Sequence, residues 1–128
     1  MNARVALRYV MAVAMIGVGV DHFVNAAPFA SIVPKALPAP LALVYISGAA
    51  EILGGVGLLI ERTRRAAGIG LIALYVAVFP ANVNMAVNHL PLGDTVVPPA
   101  LAWARLPLQA VFIALAYWVA VRREPAAG

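Results

Sequence analysis

Residues 41–60 read LALVYISGAAEILGGVGLLI and contain one ionisable side chain, that of Glu51. Pro38 and Pro40 come just before the apolar run, at positions where proline begins a helix well. About twenty apolar residues in a helix cross the hydrocarbon core of a bilayer. The stretch therefore predicts a membrane-spanning helix. Three further stretches of this kind lie at residues 5–24, 66–87 and 101–121.

The composition of the whole chain also indicates a membrane protein. Of its 128 residues, 64% are hydrophobic and 11% are charged, and the mean hydropathy is +0.95. Soluble domains are roughly half apolar and a quarter charged, so this composition excludes an ordinary water-soluble fold. Four spans use about 80 residues and leave about 48 for ends and loops. We therefore expect one all-α domain over residues 1–128, a polytopic four-transmembrane-helix bundle.

The basic residues predict the orientation of this bundle. Seven arginines would lie on one side of the membrane, whereas the opposite loops contribute Lys35 and Asp94. By the positive-inside rule, the arginine side is cytoplasmic. We expect a multi-pass protein of the cell (plasma) membrane with both termini in the cytoplasm. The seven residues are Arg4, Arg8, Arg62, Arg64, Arg65, Arg122 and Arg123.

The two outer loops begin alike. A Val-Asn pair is followed by Pro three residues after the Asn at residues 24–28 and again at 87–91. Two related helical hairpins would give this pattern, as in transporters that are built from repeats. Chance would also give it, because short apolar helices often end in Asn and Pro. Both interpretations stay open.

Polar side chains inside the predicted spans indicate where a site would lie. An ionisable group in hydrocarbon costs several kcal/mol, so each one is a functional hypothesis. At 1.5 Å per residue, Glu51 lies about 15 Å deep, near the midplane, while Asp21 and Arg105 lie about 6 Å inside the outer ends of their spans. We expect a polar cleft that opens to the outer face. The candidate ligand-binding residues are Asp21, His22, Ser47, Glu51, Asn82, Asn84, Arg105 and Gln109.

The charged members of this set suggest how the cleft is held together. Arg105 matches Asp21 in depth, so we expect an ion pair between them, and Arg105 can also approach Glu51. Glu51 is either a structural residue, neutral or bonded to Ser47 and Gln109, or a proton carrier or ligand acceptor. In a catalytic protein, Glu51 or Asp21 would relay the proton. Catalytic residues are otherwise unknown.

Prolines and glycines predict features of helix packing. Pro80 and Pro107 lie inside the third and fourth spans and free the carbonyls of Val76 and Trp103, which we expect a side chain or water to satisfy. Glycines in the first two spans allow helices to approach closely. They are Gly17, Gly19, Gly48, Gly54, Gly55 and Gly57.

Several kinds of site are excluded or not expected. The chain has no cysteine, which excludes disulfides, thiolate metal sites and dithiol redox chemistry. His22 and His89 lie at outer span ends, where hydrogen-bonded boundary residues are more typical than haem or metal ligands. We expect neither a metal nor a haem. The sequence contains no nucleotide loop, catalytic triad or zinc motif, and no nucleic-acid partner is expected.

Five blocks of the sequence resemble the DoxX family of small membrane proteins. They are VPKALP at 33–38, LVYISG at 43–48 with Glu51 and Gly55 after it, TRR at 63–65, VFPANVNM at 78–85, and RLPLQ at 105–109 with Tyr117 and Trp118 after it. The resemblance covers nearly the whole chain and implies four transmembrane helices. It also implies a group named from a subunit of a thiosulfate:quinone oxidoreductase, with members linked to membrane redox complexes, cofactor maturation and membrane-protein chaperoning. It carries over no catalytic residue.

Two functions from different classes fit these observations. The first is a ligand-binding accessory subunit of a membrane redox system, which holds a quinone-like or other amphipathic molecule in the outer-leaflet cleft. The second is a non-catalytic membrane scaffold, chaperone or assembly factor. A conduit is disfavoured because the inner half of the bundle lacks polar lining. Whether the protein is an enzyme stays open. The expected partners are the bilayer and either a membrane protein or further copies of this chain.

Overall fold

The computed structural model describes residues 2–91 and 96–122 of the chain. This part of the chain is all-helical and has no strand. Four of its helices are long and apolar enough to cross a membrane, which confirms the predicted all-α protein with four such helices. The elements are α1 (Ala3–Val24), α2 (Ala26–Ala30), α3 (Pro40–Leu59), α4 (Arg64–Val87) and α5 (Pro99–Ala116), followed by a π-helical terminal turn (Tyr117–Val121).

The predicted span boundaries agree with the helices to within two residues when the terminal turn is counted with α5. The short helix α2 was not predicted, because residues 25–40 were expected to form a loop. Its buried residue, Ala26, belongs to a run of small apolar residues that folds back against α1 and α3. Asp94 and Arg123, which contribute to the topology prediction, lie outside the described residues.

Close helix contacts depend on glycine at several positions. α1 packs along α3, α3 packs against α4, and α4 packs against α5. A Cβ atom on Gly48 would lie 2.8 Å from the Cβ of His22, and one on Gly55 would lie 2.8 Å from the carbonyl oxygen of Ala12. These positions therefore hold α1 and α3 close together. Gly17 has no neighbour within 4 Å of such an atom, so its predicted contribution to packing is wrong.

Apolar side chains fill the interior and also cover much of the outside. The core includes Met15, Leu58 and Leu71, which are at most 9% exposed. Val13 and Leu53, in contrast, are 67% and 73% exposed. Such exposed apolar side chains suit a surface that faces lipid.

The two ends of the bundle differ, and we name them for their residues. The arginine end comprises the start of α1, the end of α3, the start of α4 and the terminal turn. The proline end comprises the end of α1, α2, the start of α3 and the end of α4. The residues between α2 and α3 at this end include Pro34 and Pro38.

Two buried arginines join α1 to the terminal turn at the arginine end. The Nε of Arg4 donates to the carbonyl oxygen of Trp118 at 2.7 Å, and its Nη2 donates to the carbonyl oxygen of Arg122. The Nε of Arg8 donates to the carbonyl oxygen of Val119 at 2.7 Å. The last carbonyls of a helix have no partner within it, and the guanidinium groups supply donors to them. Both arginines contributed to the predicted orientation, and both are buried.

Candidate functional site

The buried carboxyl group of Glu51 has His22 as its partner. The Nε2 of His22 lies 3.7 Å from the Oε1 of Glu51, and both residues are buried. The Nδ1 of His22 lies 2.7 Å from the carbonyl oxygen of Val18. Because a carbonyl oxygen only accepts, Nδ1 carries a proton, and Nε2 is the nitrogen that faces Glu51.

The surroundings of this pair fix the imidazole ring and leave one carboxyl oxygen without a hydrogen bond. The ring of Phe29 in α2 stacks on His22, with centroids 4.1 Å apart and planes 8° from parallel. Gly48 packs beneath the Cβ of His22. The Oε2 of Glu51 is buried and has no hydrogen-bond partner among the described residues. An unmade buried hydrogen bond costs free energy, so this oxygen is an unsatisfied polar atom within the pair.

A second polar contact joins α4 to α5. The Nδ2 of Asn82 donates to the Oε1 of Gln109 at 2.6 Å, and the Nε2 of Gln109 donates to the carbonyl oxygen of Tyr75. The acceptor is the carbonyl of Tyr75 and not that of Val76, which Pro80 frees, so the expectation for Val76 stays a prediction. Interhelical amide contacts of this kind stabilise helix association in membranes.

Asn84 joins α4 to the segment that follows α2. Its Nδ2 donates to the carbonyl oxygen of Ile32 at 2.9 Å, and its Oδ1 accepts from the Nδ2 of Asn88 at 2.6 Å. The nitrogen and the oxygen of the Asn84 amide are therefore both hydrogen-bonded within the protein. Asn84 joins the end of α4 to the segment after α2 at the proline end.

His89 ends a helix. It is exposed and has a φ of 52°, and the amide of Leu90 donates to the carbonyl oxygen of Met85 at 3.0 Å. A residue in the left-handed conformation with this hydrogen bond is a common way to terminate a helix. The part of the chain that the structure describes contains no group of three or more His, Asp or Glu side chains placed to hold a metal ion.

The predicted ion pair between Asp21 and Arg105 is wrong. Asp21 is exposed and accepts a hydrogen bond of 2.5 Å from the Nδ2 of Asn25. Arg105 is half-buried, and its Nη1 lies 3.4 Å from the sulfur of Met85. Successive residues of a helix point about 100° apart, so Asp21 and His22 cannot both face α3. His22 has the inward position.

The eight candidate residues thus separate by burial and by partner. The structure brings His22 to Glu51 and Asn82 to Gln109, but it shows no hydrogen bond or ion pair from Ser47 or Arg105 to Glu51. His22, Glu51 and Gln109 are buried, Ser47, Asn82, Asn84 and Arg105 are half-buried, and Asp21 is exposed.

None of the eight candidate residues lines either of two cavities in the described part of the chain. An apolar cavity of about 620 Å³ at the proline end is lined by Ala27, Ala30 and Ser31 and by residues 39–42. The segment from α2 to Ser31 forms one side of this cavity, while Phe29 of the same helix packs on His22. A polar cavity of about 260 Å³ lies at the arginine end.

Residues 11–120 match a family that is described as a domain of unknown function (DUF8561). The chain belongs to this family. The matched residues include the His22–Glu51 pair and the Asn82–Gln109 contact, whereas Arg4 and Arg8 precede them. No curated protein and no solved structure shows significant similarity to the chain. The resemblance to the DoxX family stays a prediction.

The sequence did not predict that Arg4 and Arg8 are buried. For Arg8 a signal was present, because it lies inside the predicted first span, where an ionisable residue is unexpected. Its carbonyl acceptor, 111 residues away, leaves no trace in the pattern of the sequence. A backbone carbonyl is present at every residue, so the sequence does not mark which one an arginine will reach.

Proposed function

We propose that this DUF8561 protein binds a quinone-like or other amphipathic ligand at its proline end and serves as an accessory subunit of a membrane redox system. The observation that supports this is the buried His22–Glu51 pair with its unpartnered Oε2. Ionisable groups within membrane spans are costly and usually functional. A quinone carbonyl accepts hydrogen bonds, and in this proposal Glu51 relays the proton that accompanies reduction of the quinone.

The apolar cavity at the same end supports a ligand with an apolar part. Its volume of about 620 Å³ lies within the range of small-molecule sites. Because the chain has no cysteine, it has no dithiol of its own to carry electrons. We therefore propose that a partner subunit supplies the electrons. The DoxX-like blocks at residues 78–85 and 105–109 favour the same context.

The binding test compares the loss of the buried carboxyl group of Glu51 in α3 with the loss of the exposed carboxyl group of Asp21 in α1. In nanodiscs, we expect calorimetry to detect binding of decylubiquinone to the parent protein. Glu51→Leu removes the hydrogen-bonding group and should weaken binding at least tenfold, or about 1.4 kcal/mol. Asp21→Leu is the matched control, because Asp21 is exposed and lies next to His22 in sequence, and it should stay within twofold. Absence of binding to the parent, or equal losses in both variants, would refute the proposal.

We also propose that both termini are cytoplasmic and that the membrane is the plasma membrane. The described arginines other than Arg105 belong to the arginine end, and Lys35 lies between α2 and α3 at the other. The positive-inside rule supports this orientation. The cysteine-free chain allows single reporters. An impermeant maleimide should label Lys35→Cys in intact cells and should not label Arg62→Cys. The reverse pattern would invert the topology.

A scaffold or assembly factor is the second candidate function. It is favoured by amides that bond within the protein, such as those of Asn82 and Gln109, and by exposed apolar side chains such as Leu53, which a partner helix can cover. Affinity capture in mild detergent separates the two proposals. A stoichiometric protein partner without a bound small molecule supports the scaffold. A homo-oligomer with a co-purified amphipathic molecule supports the ligand-binding subunit.

A further inference from the structure

The polar cavity at the arginine end has the chemistry of a phosphate site. Its volume is about 260 Å³, and it lies where α1 begins, α3 ends and α4 begins. Ionisable or phenolic side chains and two leucines line it together. The lining residues are Arg8, Tyr9, Leu58, Leu59, Glu61 and Arg64.

The charged side chains that line this cavity suit an anion. The lining includes the guanidinium groups of Arg8 and Arg64 and the carboxylate of Glu61. The planar guanidinium group also matches the oxygen geometry of a phosphate, because it can donate two parallel hydrogen bonds.

One feature of each arginine favours binding of a phosphate group. The Nε of Arg64 is buried and has no hydrogen-bond partner among the residues that the structure describes. A buried donor without a partner destabilises the protein, and a hydrogen bond to a phosphate oxygen would offset that cost. Arg8 is fixed by its bond to the carbonyl oxygen of Val119. A side chain that is already held in place loses less entropy on binding.

The apolar and aromatic neighbours of the cavity suit a lipid. Leu59 lines it and is 43% exposed, and Ile60 beside it is 47% exposed, so an acyl chain can lie against them. Tyr9 also lines the cavity and is exposed, and tyrosine is enriched at membrane–water interfaces.

We propose that this cavity binds the phosphodiester group of an anionic phospholipid, with Arg8 and Arg64 as donors to the phosphate and Leu59 beside an acyl chain. Basic pockets between transmembrane helices bind lipid headgroups in this way. The site lies at the opposite end from the His22–Glu51 pair. It therefore does not depend on the ligand proposed for the proline end.

The test measures phospholipid binding to the full chain in detergent by native mass spectrometry. We expect dioleoylphosphatidylglycerol to bind at least tenfold more tightly than dioleoylphosphatidylcholine. Arg64→Gln should weaken phosphatidylglycerol binding at least tenfold. Arg62→Gln is the matched control, because Arg62 is exposed and does not line the cavity, and it should stay within twofold.

A gain-of-binding variant covers the case in which Arg64→Gln does not fold. Glu61→Gln removes the carboxylate that repels the phosphate and should tighten phosphatidylglycerol binding severalfold. Equal losses in Arg64→Gln and Arg62→Gln, or no preference for phosphatidylglycerol, would overturn the proposal. So would a Glu61→Gln variant that binds no more tightly than the parent.

Inorganic phosphate distinguishes the two sources of the anion. If the lipid is the ligand, millimolar phosphate should not displace phosphatidylglycerol from the parent protein. If phosphate alone binds with the same Arg64 dependence and competes fully, the phosphate chemistry of the site is supported, but the lipid as its source is overturned.

Discussion

The two ends of the bundle use buried ionisable side chains in opposite ways. At the arginine end, Arg4 and Arg8 donate to backbone carbonyls 114 and 111 residues away and so join α1 to the terminal turn. Near the proline end of α1, His22 faces Glu51 in the middle of α3, and the Oε2 of Glu51 has no hydrogen bond among the described residues. Burial of an ionisable group therefore does not by itself indicate a function. A buried group that donates to a backbone carbonyl stabilises the fold, whereas a buried group with an unsatisfied polar atom keeps a hydrogen-bonding position for another group.

Arg8→Met tests the structural half of this comparison and should have the largest effect. The variant keeps an apolar side chain of similar length but leaves the carbonyl of Val119 without its donor. Because hydrogen bonds to charged groups are the stronger ones, we expect the free energy of unfolding to fall by about 2–3 kcal/mol. Unfolding in mixed detergent micelles measures it.

Arg65→Met is the control for this experiment, since Arg65 is exposed near the start of α4. Its free energy of unfolding should change by about 0.5 kcal/mol or less. If Arg8→Met were as stable as Arg65→Met, the buried arginine would not hold the two ends of the chain together.

Gly48→Ala tests whether the His22–Glu51 pair needs close contact between α1 and α3. The new Cβ would lie 2.8 Å from the Cβ of His22 and 2.9 Å from the carbonyl oxygen of Gly19, so α1 must move away. We expect a loss of about 1–3 kcal/mol in the free energy of unfolding. Gly17→Ala has open space around it and should be neutral or slightly stabilising. Equal effects of the two substitutions would contradict this packing.

Glu51→Gln should have the smallest effect on stability. Glutamine has nearly the same shape and keeps a side-chain oxygen that can face His22, so the free energy of unfolding should change by about 1 kcal/mol or less. The same unfolding assay measures this change. A loss as large as that of Arg8→Met would make Glu51 a structural residue and would remove the contrast between the two ends.

The four long helices and their bounds could be predicted from the sequence because length and apolar character are local properties. Residues 41–60 were predicted as a span, and α3 runs from Pro40 to Leu59. The sequence also predicted polar side chains inside the bundle, and Glu51 and Gln109 are indeed buried. In a membrane, a helix must satisfy its backbone internally, so little else can form from such stretches.

Only the tertiary structure decided which of these side chains meet. Depth along a helix follows from counting residues, but the direction of a side chain changes by about 100° at each step, so Asp21 and His22 have similar depths and different surroundings. The depths predicted an ion pair between Asp21 and Arg105. The packing of α1 on α3 instead places His22 next to Glu51. That packing depends on close contacts at glycines such as Gly48, and the rotation of each helix is fixed only when its neighbours are in place.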